Sequence, residues 1–267
     1  MTMERHRDRP RRALVTGASR GIGRAVALAL LTEGYEVIGT SRKPGALAPP
    51  PAGIRFITLD LADNSSIDRC ATEVGQIDLL INNAGFSMAG PLSETPMPEV
   101  EQLIAVNWTG VVRLTRAFIP QIVPGGKIVN IGSLSARIPV PFVAVYAGIK
   151  GAIESFTLAL RYELESRDIT VVVVEPAFIN TDITQVVFVD ENSVNAHDVQ
   201  IVRAFRSRAM SGGTSPEKVA KTVLRVVRSR DPDVVWVVGK NARLMNTLQW
   251  LLPSKYFQKL VRRKMGL

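Results

Sequence analysis

Tyr146 and Lys150 stand four residues apart, downstream of Ser133. If Tyr146 opens a helix, Lys150 lies one turn further along the same face, because side chains four apart on a helix are neighbours. A phenol and an ammonium then share one small volume. Tyrosine normally keeps its proton up to a pH near ~10, and a nearby cation stabilises the phenolate, so the pair can exchange a proton close to neutrality. That is general acid/base chemistry. Ser133 follows the strand spelled by Lys127 to Ile131 and can offer its hydroxyl to the same substrate oxygen. A Tyr-x-x-x-Lys pair alone is an ordinary solvated helix face. Its meaning depends on the elements upstream.

Ala13-Leu14-Val15-Thr16 is a short apolar run leading into Gly17-Ala18-Ser19-Arg20-Gly21-Ile22-Gly23 and an apolar helix from Arg24 to Leu31. A buried strand, a glycine turn and a helix N-terminus make a phosphate-binding device, because N–H groups and the helix dipole both favour an anion. The second strand, Glu36 to Thr40, ends at Ser41-Arg42. An NAD site usually has an acid there, about ~20 residues beyond the glycines, to hold the ribose hydroxyls. This chain has Arg42 instead, with Arg20 in the glycine turn, and two guanidinium groups suit a 2′-phosphate. The expected dinucleotide is therefore NADP(H) in preference to NAD(H).

The third strand, Arg55 to Leu59, delivers Asp60 and Leu61, with the Asp60 carboxylate placed to accept from an adenine amino group. A helix over about 65–74 and a fourth strand, Ile77 to Ile81, follow; Asn82-Asn83-Ala84-Gly85 closes that strand, and its small residues let a flat cofactor pass. A helix from about Pro98 to Ile119 carries Asn107 in its middle, where an amide competes for backbone partners, and apolar Val106 and Trp108 beside it leave its direction open. The fifth strand brings Ser133, a helix starts near Tyr146, Val171 to Val174 is a sixth strand apolar enough to be buried on both faces, and Val234 to Val238 extends the sheet. The alternation of strand and helix specifies an α/β protein with a doubly wound parallel sheet flanked by helices.

The chain has 267 residues, 46% of them apolar, enough for one large domain. Its net charge of +9 sits at the ends: residues 1–12 and 240–267 are basic and the body between them is nearly neutral, which argues against a nucleic-acid reader. Residues 1–12 read as a disordered basic arm. Cys70 is the lone cysteine, so no internal disulfide can form, which suits a reducing cytoplasm. No apolar run is long enough to span a bilayer or act as a signal peptide, so a cytoplasmic protein is expected. No His, Cys and carboxylate cluster has metal-ligand spacing, and no metal is expected.

Thr16-Gly17-Ala18-Ser19-Arg20-Gly21-Ile22-Gly23, Asn82-Asn83-Ala84-Gly85, Asn107, Ser133, Tyr146-x-x-x-Lys150 and Pro176-Ala177-Phe178-Ile179-Asn180-Thr181 occur in this order. Over about residues 13–240 the chain resembles the short-chain dehydrogenase/reductase family. The resemblance implies a single-domain Rossmann fold, NAD(H) or NADP(H), and reversible interconversion of alcohol and carbonyl. It implies Tyr146 as acid/base, Ser133 as the group holding the substrate oxygen, Lys150 as the cation that lowers the tyrosine pKa and binds the nicotinamide ribose, and Asn107 as the holder of a water in a proton relay. Gly17, Ser19, Arg20, Gly21, Ile22 and Gly23 would line the pyrophosphate and adenosine end, with Ser41 and Arg42 beside the 2′-phosphate and Asp60 and Leu61 at adenine. Asn83, Ala84 and Gly85 would run along the ribose, and Pro176, Ile179 and Thr181 would seat the nicotinamide. Ala177 departs from the Pro-Gly usual there and tightens the pocket. A homodimer or homotetramer is expected by resemblance.

Substrate choice falls to Leu134 to Val145 and to a lid over about 178–213, where Ile138, Val140, Phe142, Phe178, Val186, Val187 and a helix with Val199, Ile201, Val202 and Phe205 make a greasy pocket. A small lipophilic alcohol or carbonyl, such as a steroid or retinoid, fits it better than a sugar. The tail, residues 241–267, reads as two short basic amphipathic helices split by Pro253, with three destinations open: an anionic membrane surface, the pocket, or a partner subunit. It also resembles, more weakly, tails of hydroxysteroid and retinol dehydrogenase-like proteins. Two further readings are a 3-oxoacyl-thioester reductase of the acyl-carrier-protein type and a non-catalytic NADP-sensing scaffold.

Overall fold

The computed structural model describes residues 9–46, 51–181, 183, 185–190 and 192–267. Most of the basic arm, residues 1–8, lies outside them. Its last residues do not share the disorder expected of the arm. Arg9 pairs with Asp78 at 2.9 Å, the Arg12 backbone N–H donates to the same carboxylate at 2.8 Å, and the Arg11 guanidinium lies 4.3 Å from the centre of the Tyr35 ring.

The chain alternates as the sequence implies. In order come β1 (Arg12–Val15), α1 (Gly21–Thr32), β2 (Glu36–Ser41), β3 (Ile54–Thr58), α2 (Asn64–Val74), β4 (Ile77–Asn82), β5 (Ser87–Ala89), α3 (Met97–Ile104) and α4 (Gly110–Phe118). Then follow β6 (Ile122–Ile131), α5 (Ala144–Leu164), β7 (Thr170–Pro176), β8 (Gln185–Val187), α6 (Ala196–Ser211), α7 (Pro216–Arg228), β9 (Val235–Val238), α8 (Ala242–Leu251) and α9 (Ser254–Met265). The main sheet has seven strands in the order β3-β2-β1-β4-β6-β7-β9, each pair parallel. The chain turns outward from β1 in both directions, so a crevice opens between the carboxyl ends of β1 and β4, where ligands of such sheets bind. Helices cover both faces, and the two cores divide accordingly: α1 and α7 pack Val26, Leu30, Val219 and Val223 on one face, while α2, α4 and α5 pack Ile67, Leu114, Phe118 and Leu160 on the other. Val171 to Val174 are fully buried, as a strand covered on both sides must be.

Three features differ from the sequence reading, each for a local reason. The helix expected over 98–119 is two α-helices joined by a π turn, Ala105–Thr109, with Asn107 in that turn. A π turn inserts one extra residue, and here it lets the Asn107 amide leave the helix and grip the backbone of Phe86. β6 begins five residues earlier than Lys127, because Ile122 pairs with Ile77 across a bulge formed by Pro124-Gly125-Gly126, with Gly125 at φ +82°. β5 and β8 form a small parallel ladder that has no strong pattern in the sequence, being three residues each.

Candidate active site

Thr16 follows β1 and staples it to β4. Its hydroxyl donates to the Ile81 carbonyl at 3.2 Å and accepts from the backbone N–H groups of Asn83 and Ala84 at 2.8 and 2.9 Å. The Asn83 side chain returns the bond, donating to the Thr16 carbonyl at 2.8 Å. Between these strand ends the backbone is too tight for side chains: a Cβ on Gly23 would stand 2.2 Å from the Gly17 carbonyl oxygen and 2.4 Å from Asn83 Nδ2. α1 starts directly above this turn, and no side chain caps it. An uncapped helix N-terminus over a glycine turn is the arrangement a pyrophosphate needs, so these residues fit a dinucleotide.

A cavity of about 450 Å³ opens beside this turn. Of the residues singled out by sequence, it brings together Ile22, Asn83, Gly85, Asn107, Ser133, Tyr146, Lys150, Pro176, Ile179 and Thr181 in one wall. Gly17, Ser19, Arg20, Gly21, Gly23, Ser41, Arg42, Asp60, Leu61 and Ala84 lie outside that wall, around the carboxyl ends of β1 to β4. Arg20 and Arg42 are exposed there. Asp60 accepts from the Ala62 N–H at 2.9 Å, which fixes its turn. Leu61 is 6% exposed and packs in the core, so its side chain offers little to an adenine ring.

The reacting groups are placed by three elements. Ser133 follows β6 in extended conformation, and its oxygen accepts from the Ser135 N–H at 3.1 Å, which leaves the hydroxyl proton to donate toward Tyr146. Tyr146 and Lys150 lie one turn apart near the start of α5, with the ammonium 5.8 Å from the ring centre. Lys150 Nζ donates to the Ile131 carbonyl at 2.8 Å. Asn107 donates to the Phe86 carbonyl at 2.7 Å and accepts from its N–H at 3.1 Å, and a Cβ on Gly85 would stand 2.8 Å from the Asn107 oxygen. Each end of the amide bonds the backbone of Phe86, so the Asn107 side chain holds that segment of the cavity wall.

The electrostatics correct one expectation. Burial pushes the Tyr146 phenol up from its ordinary value, opposed by a hydrogen bond from Ser133 and by the charge of Arg206. Lys150 was expected to pull the phenol down. Its ammonium is engaged with Ile131 instead, and burial brings Lys150 down to about 8, with the Glu175 carboxylate pulling the other way. Glu175 is fully buried at the end of β7, where burial and then Glu154 raise it to about 7 against the pull of Arg137, which donates to it at 2.8 Å. Sequence reasoning passed over Arg206, Glu175 and the Arg137–Glu154 pair. The available signals were a charge inside the apolar lid stretch at Arg206 and an acid closing the apolar run at Glu175.

The outer wall is mostly apolar, with Arg206, Arg208, Lys240 and Lys264 among its lining. Ile138, Val140 and Val143 come from the loop before α5, Phe178 and Phe205 meet edge to face at 5.9 Å, and α8 and α9 add Met245, Val261 and Met265. Phe257, Val261 and Met265 are buried against Ile138 and Val202, so one face of the tail closes the pocket. Leu244, Trp250, Leu251 and Tyr256 of the tail are exposed. No helix among the described residues is long and apolar enough to cross a membrane.

The short chain dehydrogenase family model matches residues 11–192. Among curated relatives, the 3-ketodihydrosphingosine reductase of Bacteroides thetaiotaomicron is 29% identical, with 95% of this chain and 97% of that protein aligned. A solved short-chain dehydrogenase from Streptomyces avermitilis superposes with a TM-score of 0.80 at 28% identity, covering 97% of this chain and 98% of its own. Another from Burkholderia cenocepacia, in complex with NADP, gives 0.72 at 30% identity over 85% of this chain and 96% of its own. Fold, site and relatives converge: the chain belongs to the short-chain dehydrogenase family and is an NAD(P)-dependent dehydrogenase/reductase.

Proposed function

We propose that the protein interconverts a lipophilic alcohol and its ketone or aldehyde, using NADP(H) in preference to NAD(H). The observation that carries the reading is the placement of Ser133, Tyr146 and Lys150 on one wall of a cavity whose remaining lining is mostly apolar. Bound nicotinamide supplies or accepts the hydride in such chemistry. Ser133 donates its hydroxyl proton to the substrate oxygen, and Tyr146 delivers a proton to that oxygen in reduction or takes one in oxidation. Lys150 holds a positive charge next to the phenol, and the Asn107–Phe86 contact keeps its segment of the cavity wall in place. Lipophilic substrate is favoured by the Phe178, Phe205, Met245 and Met265 lining, and a relative named for 3-ketodihydrosphingosine supports it.

The preference for NADP(H) rests on Arg42 after β2, on Arg20 at the start of α1, and on the lack of an acid at that strand end. The Burkholderia structure with NADP has the same fold. NADPH oxidation followed by absorbance with hydrophobic ketones tests the chemistry. Tyr146→Phe is expected to lower kcat by about 10²- to 10⁴-fold, and wild-type activity in that variant would refute the assignment. For the cofactor, Arg42→Asp is expected to reverse the order of NADPH and NADH affinities measured by fluorescence titration; equal affinities in the parent protein would defeat the preference.

A further inference from the structure

Beyond the reacting groups the cavity wall carries four cations, Arg206, Arg208, Lys240 and Lys264, of which all but Arg206 are solvent-exposed. Arg206 reaches from the lid helix α6 into the cavity wall, and its Nη2 donates to the Ser87 hydroxyl of β5 at 2.9 Å. No carboxylate among the described residues forms an ion pair with it. A guanidinium has five N–H donors, one of which serves Ser87 here. Holding a cation in an apolar pocket without a counter-ion is costly, and such a position is maintained where something else supplies the negative charge.

Arg206 also lies close enough to the Tyr146 phenol for each to act on the other's charge. The phenol marks where the reacting carbonyl oxygen sits, and Arg206, Ser87 and Tyr146 line the same cavity, so the guanidinium faces the bound substrate. Phe178, Phe205, Met245 and Met265 line the same cavity and receive the body of the molecule.

We infer that the substrate is an oxo acid, with its carboxylate held by Arg206 and an apolar chain under the lid. This rests on the reading of Tyr146 as the acid/base. The reaction is an ordinary ketone reduction: the C=O π bond breaks, the carbon gains the hydride of the reduced dinucleotide, and the oxygen gains the Tyr146 proton. The carboxylate is a handle and is unchanged. A substrate with an ammonium in that position would meet the guanidinium and be repelled. Charged hydrogen bonds of this kind are also directional, so the acid fixes which face of the carbonyl is presented.

The test compares kcat/KM for 2-oxooctanoate and 3-oxooctanoate with that for 2-octanone, using NADPH. In the wild type at least one oxo acid is expected to exceed the ketone by roughly 10- to 100-fold. Arg206→Met is expected to collapse that ratio, chiefly through KM for the acid, and Arg206→Lys to restore part of it. A ratio that Arg206→Met leaves unchanged, or a wild type that prefers the ketone, overturns the inference. If Arg206→Met does not fold, the wild type alone decides: decanoate should inhibit more tightly than decanamide, and equal inhibition overturns it. Activity surviving in Tyr146→Phe would instead refute the catalytic reading, so the two failures are distinguishable.

Discussion

Burial decides the state of the reacting tyrosine. An enclosed phenol with the nearest ammonium turned to a carbonyl stays protonated at neutral pH, which suits donation to a carbonyl and opposes proton removal from an alcohol. The sign of the pH dependence follows. Reduction needs the protonated phenol, which burial holds above its ordinary value, so kcat/KM for reduction is expected to stay flat through neutral and mildly alkaline pH. Oxidation needs the phenolate and should rise with pH across the same range. Initial rates in both directions across that range check this, and an oxidation rate that peaks at acid pH would contradict it. The positions of Ser133, Tyr146 and Lys150 were legible because their spacing maps onto one strand end and one helix turn. Arg206 was not, since its approach to the phenol depends on how α6 folds back, and no local period encodes that.

The elements divide into those that a pattern specifies and those that only packing reveals. Val171 to Val174 and the run after Arg12 announce buried strands by apolar content alone. The π turn at Asn107 does not announce itself, because a helical period continues on both sides of it. The glycine turn has a clear signature, and the structure gives its reason: Gly23 lies against backbone that cannot give way. Gly23→Ala is therefore expected to lower dinucleotide affinity by at least about 10-fold and to lose roughly 1–3 kcal/mol of stability from overpacking. Isothermal titration with NADP and a denaturant melt measure the two effects, and unchanged affinity would show that the turn does not receive the pyrophosphate. The β5–β8 ladder escaped the sequence reading because three-residue strands leave no alternation to detect.

At the scale of the molecule, the dinucleotide edge and the substrate pocket come from different parts of the chain. The first comes from the ends of β1 to β4, the second from the loop before α5, the lid and the tail. The tail had three destinations open from its composition; its Phe257, Val261 and Met265 face goes to the pocket, and the side chain of Gln249 in α8 bonds to the Arg137 carbonyl on the facing loop. Removing residues 242–267 is expected to raise KM for lipophilic substrates by about 10-fold or more through lost apolar contact, while NADPH affinity stays within about threefold. Should the shortened chain aggregate, Phe257→Ala with Met265→Ala in the intact chain should shift KM in the same direction. Equal KM in all of them would mean that the tail is not part of the substrate wall.

Folding the last helices over the pocket has a consequence for how such a protein can diverge. The machinery that moves the proton is anchored at the end of β6 and on the sheet-packed helix α5, whereas the shape that admits one molecule and rejects another is written in the segments least constrained by strand pairing. New specificities can therefore arise by editing or exchanging the chain's final stretch, with the reaction itself left intact.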